Sequence, residues 1–168
     1  MSDTPDTSGT PAAPASSVPP GPVLVTGATG LVGHHLCRRL SVSRRVLAVS
    51  RTLPALHAPR GLGPAAARLV DIRDADALAA LLDTAEPAAV VHLAALARPD
   101  ACERDPEGSR AVNLEASAAL AGLCATRGVR LAFASTDLVF GGDPGNDGPP
   151  YHETAAPAPV CVYGAHKA

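Results

Sequence analysis

The chain has 168 residues, a net charge of -2 and 18% charged residues, which excludes a basic face for nucleic acid or an anionic membrane as its main feature. Aromatic residues make up only 2% and tryptophan is absent, so stacking platforms for single-stranded nucleic acid are excluded and the core falls to Ala, Leu and Val. At this length one domain with a substantial core is expected.

Residues 1–21 are rich in Pro, Ser, Thr and Ala and contain no Lys or Arg. They offer too little apolar surface to offset their ordering entropy, so a disordered leader is expected there, with the folded domain spanning 22–168. VLVT (23–26) predicts a first strand, 31–40 a helix, RVLAVS (45–50) a second strand and ARLVDI (67–72) a short third. Asp74 is placed to cap a helix over 75–83, and AVVHLA (89–94) predicts a fourth strand. Asp105 and Pro106 supply a cap and a first-turn proline for one long helix toward Arg127, stopped by Gly128. VRLAFAS (129–135) predicts a fifth strand, and a Gly- and Pro-rich loop covers 141–159. Short apolar strands alternating with helices predict an α/β fold of the Rossmann type, a doubly wound parallel sheet.

No apolar run approaches membrane-spanning length, and no basic stretch leads into an apolar one at the N-terminus, so neither a membrane partner nor a signal peptide is expected. Cys37, Cys102, Cys124 and Cys161 stand far apart without a CxxC pair, which predicts buried reduced thiols and a cytoplasmic location. His34, His35, His92 and His152 lack ligand spacing backed by carboxylates, so no metal is expected.

The first strand leads straight into Gly27, Gly30 and Gly33, with Thr29, Leu31 and Val32 between them, and then into a helix. Glycines at this spacing allow a tight turn, close approach of backbone to a pyrophosphate, and helix N–H groups facing the anion. The pattern predicts a dinucleotide site. At the end of the second strand, an Asp or Glu would hold a free ribose 2′-hydroxyl. Here Ser50 and Arg51 stand there instead, and residues 41–60 contain no acid, so NADP(H) is favoured with NAD(H) as the alternative. The competing reading makes Arg51 a solvated loop arginine.

Of fourteen basic residues thirteen are arginine, and the single lysine, Lys167, stands four residues after Tyr163, one of two tyrosines. Side chains four apart share a helix face, so the ammonium is expected to favour the phenolate and lower the tyrosine pKa. A surface lysine beside a packing tyrosine is the plain alternative.

Taken in order, GATGLVG, the Asp71–Ile72 pair, HLAA (92–95), STDLVFGG (135–142) and Tyr163-x-x-x-Lys167 resemble the extended short-chain dehydrogenases/reductases. Within them, ARPDACERDPE (97–107), Val112–Asn113 and PYHETAAPAPVCVYGAHK (150–167) are most similar to dTDP-4-dehydrorhamnose reductases and their sugar-nucleotide-binding relatives. The resemblance implies an NAD(P)-dependent oxidoreductase that reduces a keto group on a nucleotide-linked sugar. Its alternatives are a nucleotide-sugar epimerase or dehydratase and a non-catalytic NAD(P)-binding regulatory subunit. In this family Tyr163 would protonate the keto oxygen, Lys167 would bind the nicotinamide ribose, and Thr136 would hydrogen-bond the same oxygen, unless it serves as a strand-end hydroxyl on the backbone. Asp71 and Ile72 would meet the adenine, and Leu93, Ala94 and Ala95 would line the cofactor groove. Asn113 would border the active site or act as a buried amide fixing the sheet. Glu153 resembles a family glutamate without a fixed role.

Family members continue well past the lysine. The resemblance therefore implies a fragment that holds the N-terminal part of the fold and lacks the substrate-binding C-terminal region. The helix carrying Tyr163 and Lys167 is expected to fray out of register, and the fifth strand to be an apolar edge open to association or a homo-oligomer.

Overall fold

The computed structural model describes residues 20–52, 66–142 and 150–168. Nearly all of the expected leader and the middle of the 141–159 loop lie outside these residues. Strand β1 (Val23–Thr26) pairs in parallel with β2 (Val46–Ser50) on one side and β4 (Ala89–His92) on the other. Beyond them lie β3 (Ala67–Leu69) and β5 (Arg130–Phe133), giving the order β3-β2-β1-β4-β5.

Alternation along the strands builds a core on each face. Val23, Val25, Val46 and Ala48 pack with Cys37 of α1 (Leu31–Leu40). Leu24, Leu47, Val49 and Val90 point the other way, onto Leu78, Leu81 and Leu82 of α2 (Ala75–Ala85) and Leu120 of α5 (Ala116–Thr126). Central strands buried on both faces read as continuous apolar runs, which is why β1 and β2 were visible in the sequence.

Several boundaries differ from expectation. β4 stops at His92 because the next two N–H groups, of Leu93 and Ala94, turn to the Thr26 hydroxyl. β3 and β5 are shorter than their apolar runs, and α2 continues to Ala85, where Glu86 closes it in a left-handed conformation (φ 43) with its N–H on Leu82 O. Asp74 caps α2 as expected, accepting from Ala77 N at 2.9 Å.

The single long helix expected from Asp105 is corrected to three pieces, with a further short helix ahead of it. α3 (Pro99–Arg104) precedes Asp105, which caps α4 (Pro106–Arg110) through Gly108 N at 2.9 Å. A π turn (Ala111–Glu115) joins α4 to α5, with Ala116 N reaching back to Ala111 O. Gly128 follows α5 at φ +63, the expected stop. Among the described residues no helix is long and apolar enough to cross a membrane. All four cysteines are free, and Cys37, Cys102 and Cys124 are buried.

Candidate functional site

β2 and β4 flank β1, so the chain departs in opposite directions from the sheet centre, and a crevice opens at the carboxyl ends of these strands. A cavity of about 500 Å³ occupies it. Ten of the residues singled out in the sequence line it: Gly27, Thr29, Gly30, Ser50, Arg51, Asp71, Ile72, Leu93, Ala94 and Ala95.

Gly27 has φ +66, and a Cβ there would meet Ala94 N at 2.7 Å and Leu93 C at 2.8 Å. Only glycine lets β1 turn this close to the segment after β4. A Cβ on Gly33 would collide with Gly27 O, so that glycine seats α1 against the turn. Leu31 and Val32 stand outside the cavity wall, 79% and 64% exposed, but they open α1. That helix start has no side-chain cap and no acid in its first turn, which leaves its N–H groups and dipole to an incoming anion. The residues present therefore fit a dinucleotide pyrophosphate.

The cavity floor is set by a buried chain of polar groups that sequence reading missed. Thr26 Oγ1 accepts from Leu93 N at 3.1 Å and Ala94 N at 3.2 Å, so its own proton goes to His92 Nδ1 at 2.6 Å. His92 Nε2 then carries the ring proton and donates to Ser117 Oγ at 2.9 Å, and Ser117 donates to Asn113 O at 2.8 Å. Burial first, and the charge of Lys167 second, push His92 down to about 4. Asn113 is buried, and its amide holds both backbone groups of Leu96, accepting from the N–H at 2.8 Å and donating to the carbonyl at 3.1 Å. It fixes the wall residue Leu96 from behind rather than lining the cavity itself. A strand-ending threonine was the available signal for this network; the π turn that aims Asn113 left none.

Thr136, Tyr163 and Lys167 lie outside the cavity wall, at the carboxyl ends of β4 and β5. Helix α6 (Val162–Lys167) carries the last two. It is not left to fray. Glu103 of α3 accepts from Val162 N at 2.8 Å, Cys161 Sγ caps Gly164 N at 3.3 Å, Ser135 donates to Lys167 O at 3.4 Å, and Ser109 meets His166 Nδ1 at 3.3 Å. Gly164 leaves room for Leu138 O of the adjacent turn, where any Cβ would collide. Tyr163 and Lys167 are both buried as a result.

The expected lowering of the Tyr163 pKa is corrected. Burial raises it, with Cys102 and Cys161 adding to the effect. The Lys167 ammonium lies 3.6 Å from the centroid of the Phe133 ring, and burial pushes it down to about 8. Thr136 accepts from Leu138 N at 3.3 Å as the cap of the turn at Asp137–Val139 and donates to Asp137 Oδ1 at 3.2 Å, so here it acts as the strand-end hydroxyl. Glu153 is exposed. Among the described residues no three His, Cys, Asp or Glu side chains converge on a metal position.

A family described as the RmlD substrate binding domain matches residues 21–168. The chain belongs to the RmlD family. It is 34% identical over 155 residues to methionine adenosyltransferase 2 subunit beta of Pongo abelii, covering 90% of this chain and 42% of that protein. The crystal structure of dTDP-4-dehydrorhamnose reductase from Bacillus anthracis in complex with NADP superposes with a TM-score of 0.72 and 26% identity, over 88% of this chain and 45% of that one. UDP-glucose 4-epimerase of Thermus thermophilus in complex with NAD superposes with a TM-score of 0.75 and 31% identity, over 86% and 47% of the two chains. The chain thus spans less than half the length of the curated relatives it matches. Within this RmlD-family chain, the matched segment contains the whole cavity wall and α6.

Proposed function

We propose that this chain binds a nicotinamide dinucleotide, NADP(H) in preference to NAD(H), and forms the cofactor half of a reductase acting on a keto group of a nucleotide-linked sugar. The observation that carries the reading is the cavity at the sheet's crossover, walled by glycine-turn and Ala94–Ala95 backbone at an uncapped helix start. When bound, the nicotinamide would supply hydride. The chain's own groups then have defined tasks: Gly27 and Gly30 admit the pyrophosphate to the α1 N–H groups, Asp71 and Ile72 border the adenine, and Ala94 and Ala95 bound the groove. Tyr163 would donate its phenolic proton to the substrate oxygen. Its raised pKa keeps it protonated at neutral pH, as a donor must be. Lys167 would hold the nicotinamide ribose, and Thr136 would hydrogen-bond the substrate oxygen after giving up Asp137 as its acceptor.

A second reading, a non-catalytic nucleotide-binding subunit, is favoured by the similarity to methionine adenosyltransferase 2 subunit beta over 90% of the chain. A third, redox-neutral epimerisation, is favoured by the likeness to UDP-glucose 4-epimerase. The protein, together with any sequence that extends its reading frame, should be incubated with dTDP-4-dehydrorhamnose and NADPH and the products identified. Net reduction with consumption of NADPH is expected. Isomerisation or loss of water without net oxidation selects the epimerase/dehydratase reading, and cofactor binding without turnover selects the subunit.

A further inference from the structure

The chain holds two Phe, two Tyr and no Trp in 168 residues, so an aromatic ring beside a given side chain is not something composition supplies. One of the two phenylalanines nevertheless meets the one lysine. The sheet places the ring: Phe133 ends β5 opposite His92 in the parallel ladder, and Ala134 N donates to His92 O at 3.2 Å just beyond it. Its ring lies 5.7 Å from the imidazole of His92, tilted by 32°. The next residue on β4's side, Leu93, is already cavity wall. Lys167 reaches the same point from the end of the chain. Its carbonyl accepts from Ser135, and α6 is fixed on α3 and α4 through Glu103 and Ser109, which sets the ammonium 3.6 Å from the Phe133 centroid. Among the described residues no carboxylate pairs with this buried cation. The charge is met by a π face instead.

Resting for its functional consequence on the dinucleotide reading above, we infer that Phe133 is the positioning residue of Lys167, its ring face holding the ammonium at the carboxyl end of β5 in readiness for ribose hydroxyls. A ring does this where a carboxylate would not. A carboxylate would accept the N–H groups and compete with the incoming hydroxyls, whereas a π face attracts the cation through its quadrupole and leaves the three donors of the ammonium to a ligand. Two kinds of substitution separate attraction from packing. Phe133→Leu keeps apolar bulk and loses the quadrupole, while ring fluorination keeps the shape and drains the π face step by step.

The first measurement uses the full chain grown with carbon-13-labelled lysine, in which Lys167 supplies the single lysine signal. Its Cε resonance is titrated with pH in wild type, in Phe133→Leu, and in chains carrying monofluoro- or trifluorophenylalanine at position 133. The pKa of Lys167 is expected to fall with each added fluorine, by about half a unit at the trifluoro ring. The upfield ring-current shift of its Cε protons is expected to vanish in Phe133→Leu. A pKa indifferent to fluorination leaves a ring that only packs, and overturns the assignment. The second measurement is NADPH binding, followed by nicotinamide fluorescence. Phe133→Leu should raise Kd about three- to tenfold in the wild-type background and leave it unchanged in Lys167→Met. An equal loss in both backgrounds overturns the positioning role. If Phe133→Leu does not fold, the trifluoro ring takes its place in both backgrounds. Wild type that binds no NADPH while its lysine follows fluorination removes the dinucleotide reading and leaves the ring's hold on the ammonium standing. NADPH binding with a lysine indifferent to fluorination removes this inference alone.

Discussion

His92 shows how much one buried side chain organises. It is 1% exposed, accepts from Thr26 and donates to Ser117, an arrangement that needs the neutral ring. Because its folded pKa of about 4 lies below the ordinary value of 6.5, the unfolded chain binds more protons between those pH values. The contribution of His92 to stability is therefore complete above about pH 6.5 and falls as pH drops toward 4, by up to about 3 kcal/mol. Urea unfolding followed by circular dichroism at pH 7, 5.5 and 4.5 should show that slope in wild type and a flatter one in His92→Asn. Equal slopes would contradict it. Lys167 is the converse case, a cation 6% exposed whose pKa is pushed down to about 8. The unfolded chain is the more protonated between 8 and 10.5, so this group costs stability at neutral pH and the cost fades as pH rises through that window. Lys167→Met should stabilise the fold by about 1–2 kcal/mol at pH 7, read by the same unfolding assay, while weakening NADPH binding. The only lysine among fourteen basic residues therefore stands at a buried position where its charge carries a cost.

At the scale of elements, α6 illustrates where stability of a short helix originates. Six residues cannot repay helix nucleation alone, so tertiary anchors must hold it, and Glu103 is the most distant in sequence, 59 residues from Val162. Glu103→Ala should cost α6 about 1–2 kcal/mol, seen as roughly tenfold faster amide exchange at Ala165 and Ala168, with Glu103→Gln intermediate because its amide oxygen still accepts. Exchange unaffected by either substitution would assign α6 to other contacts. The same contrast explains what could be read in advance. β1, β2, α1, α2 and the glycine turn were legible because their signals are local: apolar runs, a three-residue glycine spacing, and Asp74 three residues before Ala77 N. The cap from Glu103 and the clamp of Asn113 on Leu96 arise from pairings across the fold, and Asp71 and Arg51 come to share a cavity wall only through the pairing of β2 with β3. The π turn has neither Gly nor Pro to announce it, so α4, the turn and α5 read as one helix. For Tyr163 the spacing to Lys167 was legible, but burial, which no spacing reports, sets the direction of its pKa.

For the molecule as a whole, the consequential surface is β5. Among the described residues this strand pairs with β4 alone, and Ala132 and Phe133 are exposed on it. An open edge of unpaired N–H and C=O groups beside apolar side chains is a template for a second chain. Lys167 covers one side of the Phe133 ring and so blunts the edge only at its carboxyl end. The 168-residue chain on its own should therefore associate through β5, with a mass by light scattering that grows with concentration above that of a monomer. Ala132→Lys places a charge on the exposed strand without touching the Leu131 side that packs on the core, so it should shift the distribution toward monomer while leaving the unfolding free energy within about 0.5 kcal/mol of wild type. A monodisperse wild-type monomer with cooperative unfolding would show that the edge is protected by the protein itself. If association persists undiminished in Ala132→Lys, the contact lies elsewhere on the surface, and the sheet edge is not what draws two copies together.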